Sequence, residues 1–189
     1  MSRALIVVDV QRDFCEGGAL AVSGGAVVAG EINRMLSGDH GYDMVVATRD
    51  HHVDPGEHFS DSPDFKDSWP PHCVAGTSGA QQHPGLTFAE WDAVFLKGRD
   101  AAAYSGFEGT DERTGELLGD YLREHGVTEV DVCGIAADYC VDATARDAAA
   151  AGFGTTVLTD LTVAVHPDSL TKLKADWADT GVLMRAAME

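Results

Sequence analysis

Asp50, His52, His58 and His72 fall in the segments TRDHHVDPGEHF and SWPPHC, four metal-ligating side chains in a short stretch. Three imidazoles and one carboxylate are donors suited to a divalent first-row ion: Zn2+, Fe2+ or Mn2+. Asp50 and His52 lie two apart where an apolar run ends, so in extended backbone they share a face. His51, Cys73 and His83 compete as ligands, and a solvated histidine-rich loop is the alternative for the whole set. A second constellation is spread along the chain. Cys140, in GIAADYCVDATARDA, follows an apolar run at the start of an alanine-rich helical stretch. A thiol there faces helix N-terminal amides, which favour a thiolate and offer an oxyanion hole; a buried structural thiol is the alternative. Asp9 and Lys97 each end an apolar run, and together with Cys140 they make a base, a cation and a nucleophile from three separate places.

The elements that must position these groups are legible in the apolar pattern. Ala4–Val10, Met44–Thr48, Ala93–Lys97, Glu129–Ile135 and Thr155–Asp160 are short, branched, nearly unbroken apolar runs, as expected of strands buried on both faces, and Gly181–Met184 suggests a short last strand. Gly25–Leu36, Arg113–His125, Tyr139–Ala151 (stopped by Gly152) and Pro167–Asp179 read as helices between them. Alternation of this kind predicts an α/β fold of parallel βαβ units with helices on both faces, whose ligands bind at the carboxyl ends of the strands. From about residue 49 to 85 the pattern stops. That segment holds five of the six prolines and five of the eight histidines, an inventory that disordered linkers rarely carry, so it is expected to be an ordered, site-forming excursion.

Composition bounds the function. The 189 residues suit one domain, 1–189, with the loop at about 49–85 inside it. Thirteen basic against 31 acidic side chains leave a formal charge of −18, which argues against nucleic acid and against an anionic membrane surface as partners, and mildly against self-association. No apolar run approaches the ~20 residues of a membrane span, and the N-terminal run of seven, ending at Asp9, is not that of a secretory signal. Four cysteines without a CxxC pair read as reduced thiols, so a cytoplasmic location is expected and a dithiol redox protein is not. GxGxxG, GxxxxGK and GxSxG are all missing from the chain, which leaves dinucleotide, phosphate-loop and serine-hydrolase chemistry without support.

VDVQRDFCEGGAL, TRDHHVDPGEHFS with WPPHC, FLKG followed by AYSGFEG, and GIAADYCV together resemble the nicotinamidases (pyrazinamidases) of the isochorismatase-like cysteine hydrolase superfamily, in order, from about Ala4 to about Thr162. The resemblance implies a three-layer α/β/α sandwich around a six-stranded parallel sheet. It implies Asp9, Lys97 and Cys140 as catalytic triad, and Asp50, His52, His58 and His72 as ligands of one divalent metal ion. Backbone amides of Ala136 and Cys140 would form the oxyanion hole, with a cis Ile135–Ala136 peptide, and Phe14, Trp69, Tyr104 and Ile135 would line the ring pocket. The implied reaction is hydrolysis of nicotinamide to nicotinate and ammonia, with pyrazinamide as a second small-molecule substrate, by a monomer or small homo-oligomer. The family varies at Tyr139. An isochorismatase or an N-carbamoyl amide hydrolase is the nearest alternative, but neither needs the Asp50/His52/His58/His72 set; a non-catalytic metal or thiol protein would leave Asp9 and Lys97 without a role.

Overall fold

The computed structural model describes residues 2–187. Seven strands form one sheet: β1 (Ser2–Val8), β2 (Met44–Asp50), β3 (Ala93–Lys97), β4 (Thr110–Asp111), β5 (Val127–Ile135), β6 (Gly154–Val163) and β7 (Leu183–Arg185), in the spatial order β4-β3-β2-β1-β5-β6-β7. Every neighbouring pair is parallel except β3–β4. The six expected parallel strands are therefore present, and a two-residue antiparallel edge is added to them.

The unbroken apolar strands are explained by what covers each face. Along β1, Ala4, Ile6 and Val8 pack against one side with Leu118 and Leu122 of α2 (Leu118–Glu124), Ala145 and Ala148 of α3 (Asp142–Ala150), and Leu173 and Trp177 of α4 (Leu170–Asp179). The alternate residues Leu5 and Val7 pack against the other side with Val28, Ala29, Ile32 and Leu36 of α1 (Gly25–Leu36). Side chains alternate across a strand, so a strand covered on both faces needs apolar residues at every position.

Helix α1 has the expected bounds, and the others depart in informative ways. Helix α2 begins at Leu118 rather than Arg113, because Thr110 and Asp111 pair with Leu96 and Phe95 and the Asp111 carboxylate caps Thr114 through its backbone N–H and hydroxyl. Helix α3 is preceded by a wider π turn at Ala137–Val141, and α4 by a 3-10 turn at Pro167–Ser169. Asp9 lies just past the end of β1. Among the described residues no helix is long and apolar enough to cross a membrane.

The strand order reverses between β1 and β5: the chain runs outward through β2 and β3 on one side, and through β6 and β7 on the other. Such a switch point leaves a crevice at the carboxyl ends of the strands. Close approach there depends on Gly134, at φ +116°, where a Cβ would stand 2.0 Å from the Val8 carbonyl oxygen.

Candidate active site and metal centre

Four adjacent strand ends meet at the crevice. Asp9 follows β1, Asp50 ends β2, Lys97 ends β3, and Cys140 lies in the turn after β5. All four side chains are buried. Lys97 Nζ stands 2.8 Å from Asp9 Oδ2 and 3.5 Å from Cys140 Sγ, also donates to the Ala103 carbonyl at 3.3 Å, and contacts Asp50 Oδ1. Thus the three residues read as base, cation and nucleophile are together, and Asp50 is joined to them through the same ammonium.

Their ionisation follows from burial and from one another. Burial opposes charge on Lys97, but Asp50 and Asp9 hold its ammonium protonated far above the ordinary lysine range. Burial also raises Asp9 above the usual carboxylate range, although Lys97 opposes it. Asp50 goes the other way: burial would raise it, and Lys97 and His52 together hold it well below. Burial pushes the Cys140 thiol up, with Lys97 only partly offsetting. That last direction corrects the sequence expectation of a thiolate favoured by helix N-terminal amides. Cys140 rests as a thiol beside a carboxylate of raised basicity, which is the arrangement a general base needs.

On the other side of Asp50 lie the three histidines. Asp50 Oδ2 is 3.5 Å from His52 Nε2 and 3.8 Å from His72 Nε2, and the ligand atoms of His52, His58 and His72 lie within 4.8 Å of one another. The loop between β2 and β3 is held in place for this. The His52 backbone N–H donates to the Cys73 carbonyl and the Ala75 N–H to the His52 carbonyl, while Phe59 bridges to Trp69. Nδ1 of His52 meets the Gly98 carbonyl at 2.5 Å and Nδ1 of His72 meets the Pro70 carbonyl at 2.8 Å, which leaves each Nε2 as an acceptor. Among the described residues His52 Nε2 and His58 Nδ1 are buried without a partner, and burial beside His52 and His72 depresses His58 to about 4, so it is neutral at pH 7. Imidazoles oriented by carbonyls, with orphaned buried nitrogens around a carboxylate, are a donor set that a divalent cation would satisfy. His51, Cys73 and His83 do not join that cluster.

Between thiol and histidines runs a cleft lined by Phe14, Trp69, Tyr104 and Ile135, as expected, and also by Leu20, Val22, Ala103, Tyr139 and Val165; Ala136, Cys140, Asp50, His58 and His72 complete it. Trp69 Nε1 donates to the Tyr104 hydroxyl at 3.1 Å. The Ile135–Ala136 peptide is cis, as the resemblance implies.

Two supporting residues escaped sequence reasoning. Thr48 donates its hydroxyl to Asp9 Oδ1 at 2.6 Å. Gln11 accepts from the Asp50 amide and donates to the Asp50 carbonyl, both at 2.8 Å. Each is a polar residue two positions from a site carboxylate, and for Thr48 and Asp50, both in β2, strand periodicity puts the pair on one face; that spacing was the available signal.

The isochorismatase domain model matches residues 3–184, nearly the whole chain. The chain belongs to the isochorismatase family. Within it, the chain is 57% identical over 167 residues to the nicotinamidase/pyrazinamidase of Mycobacterium tuberculosis, covering 88% of this chain and 89% of that one. Two solved isochorismatase-fold structures superpose closely: a pyrazinamidase of Pyrococcus horikoshii in complex with zinc (TM-score 0.83, 35% identity, 98% and 99% of the two chains) and PnC1 of Leishmania infantum in complex with nicotinate (TM-score 0.86, 36% identity, 98% and 93%).

Proposed function

We propose that this protein is a metal-dependent cysteine amidohydrolase that converts nicotinamide to nicotinate and ammonia, and pyrazinamide to pyrazinoate, in cytoplasmic NAD salvage. The observation that carries the proposal is one cleft lined both by Cys140, of the Cys140–Asp9–Lys97 cluster, and by Asp50, His58 and His72, of the Asp50/His52/His58/His72 donor set. A planar ring bearing a carboxamide on one side and a ring nitrogen on the other would present one group to the thiol and the other to the histidines. Identity with a nicotinamidase/pyrazinamidase over most of both chains supports the same substrates, and four free buried cysteines suit a reducing compartment.

Asp9 takes the proton of the Cys140 thiol, and the sulfur attacks the carboxamide carbon. Lys97, within reach of both groups, steadies the charge as it moves from carboxylate to sulfur. Backbone N–H groups of Ala136 and Cys140 hold the developing oxyanion, a contact worth about 3–4 kcal/mol per donor in a related hydrolase. Asp9 returns its proton to the leaving nitrogen; ammonia departs and a thioester remains on Cys140. Asp9 then takes a proton from water, whose oxygen displaces the sulfur as thiolate to give the carboxylic acid, and Asp9 returns that proton to the sulfur to restore the thiol. Asp50, His52, His58 and His72 would hold one divalent ion, Fe2+, Zn2+ or Mn2+, and Phe14, Trp69, Tyr104 and Ile135 would hold the ring. When bound, the ion supplies a Lewis-acid contact for the ring nitrogen and so fixes the distance from ring to thiol.

Ammonia release from nicotinamide, pyrazinamide and benzamide, at matched metal content, tests this. A site built to engage a polar atom rejects an analogue lacking it by about 10⁴-fold, so benzamide should be a very poor substrate and Cys140→Ala should be inactive. Benzamide turnover within about tenfold of nicotinamide removes the positioning role, and substantial activity in Cys140→Ala removes the nucleophile.

A further inference from the structure

One wall of the ring cleft is tied to the surface through an exposed side chain. Phe14, Trp69 and Ile135 are buried, and Trp69 is braced by Phe65 at 6.3 Å and by its hydrogen bond to Tyr104. Tyr139 is half-buried: its ring meets Trp69 edge-on at 5.1 Å and Tyr104 at 6.0 Å, while its hydroxyl leaves the cleft and meets Nε2 of the exposed His166 at 3.4 Å. The next residue back, Asp138, accepts from the backbone N–H of Val165 with one carboxylate oxygen and from that of His166 with the other, both at 2.8 Å. Asp138 thereby clips the segment after β6 onto the turn that carries Cys140, and that clip holds Val165 in the cleft lining.

From this we infer that Asp138, Tyr139 and His166 form a specificity wall, which sets the size of ring substituent that the cleft admits; the inference rests on the amidohydrolase reading above. The buried walls cannot yield without disturbing the core, since interiors are close-packed. The Tyr139 ring is tied at its outer end by one long hydrogen bond to a solvent-exposed imidazole, and the backbone of Val165, whose side chain packs on the core, is fixed by the Asp138 clip. A substituent on the ring edge facing this wall has to displace the tyrosine ring or Val165. Tyr139 and His166 are thus positioning and specificity residues, outside the Cys140–Asp9–Lys97 cluster.

The test is a selectivity ratio: kcat/KM for nicotinamides methylated at ring carbons 2, 4, 5 or 6, each divided by that for nicotinamide. Tyr139→Ala should raise the ratio for at least one methyl isomer by about tenfold or more, the size of effect that one carbon makes in an apolar pocket. Tyr139→Phe keeps the ring but loses the tie, so it should move the same isomer's ratio by a smaller factor; His166→Ala should match it, and the double variant should add nothing. Asp138→Asn should widen the same selectivity by loosening Val165. Ratios within twofold of wild type in both Tyr139→Ala and Tyr139→Phe overturn the wall, as do independent, multiplicative effects of Tyr139→Phe and His166→Ala. Titration of tryptophan fluorescence with nicotinate and its methyl derivatives reads the same selectivity as a ratio of Kd values without turnover. Failure of the wild-type protein to release ammonia would defeat the hydrolase reading alone, whereas unchanged Kd ratios in the variants would defeat the wall alone.

Discussion

Gly98→Ala should weaken metal binding although residue 98 supplies no ligand side chain. Gly98 follows Lys97 at the end of β3 with φ +75°, and its carbonyl oxygen is 2.5 Å from His52 Nδ1. A Cβ at that position would stand 2.6 Å from His52 Cε1 and 2.9 Å from Nδ1. Ordinary contact begins near 3.4 Å, so the imidazole must retreat by roughly 0.8 Å, or the backbone must shift and move the carbonyl that orients it. Either motion disturbs the hydrogen bond that fixes the tautomer, and losing such a partner typically costs 10–100-fold in affinity, about 1.4–2.7 kcal/mol. The left-handed φ adds ~1–2 kcal/mol of strain to the alanine variant whether or not metal is present. Competition against a fluorescent zinc chelator gives the metal Kd, and thermal unfolding of the metal-free protein gives the strain separately. A Kd within about threefold of wild type, in protein that still folds, would refute the reasoning that Gly98 orients a ligand.

Thr48→Val removes the hydroxyl that donates to Asp9 Oδ1 at 2.6 Å and leaves volume unchanged; a hydrogen bond to a charged group is worth ~1.5–3 kcal/mol, so kcat for nicotinamide should fall roughly 10–100-fold with KM little altered. The Thr48 hydroxyl also holds the Asp9 pKa down against burial, so its loss should move the acidic limb of kcat/KM to higher pH; an unmoved limb with full kcat would count against the contact. Asp131→Ala removes the buried carboxylate that accepts from Arg3, Arg185 and Tyr42. Breaking a buried pair costs ~3–5 kcal/mol, here reduced to about 2–3 because both arginines are partly exposed; urea unfolding should show that loss with activity per folded molecule retained, and an unchanged midpoint would sink it.

Much of the fold was readable because burial on both faces leaves little choice of residue. β3 and α1 have their expected bounds, and the histidine density between β2 and β3 marked the ligand cluster. What was not readable depends on partners remote in sequence. β4 exists only because Thr110 and Asp111 meet Leu96 and Phe95, and the late start of α2 has one local cue, Gly115 in a left-handed turn at φ +78°. Periodicity placed Cys140 at a strand-to-helix junction, but the state of its thiol is decided by depth of burial and by Lys97, 43 residues away. The joining of the two constellations through Asp50 was equally hidden, since Lys97 reaches it across β2–β3 pairing in which Asp50 lies opposite Lys97.

That pairing makes catalysis a reporter of strand alignment. The groups at the crevice come from positions 9, 50, 97 and 140, and they meet only when Val8 is opposite Thr48 and Gly134, and Asp50 opposite Lys97. A slip of one residue on any of these strands would turn its terminal side chain to the far face of the sheet. A misaligned molecule could keep its secondary structure and much of its compactness and still have no nucleophile beside a base. During refolding, regained circular dichroism should therefore run ahead of regained turnover, and the interval between them would time the locking of the four central strands into place.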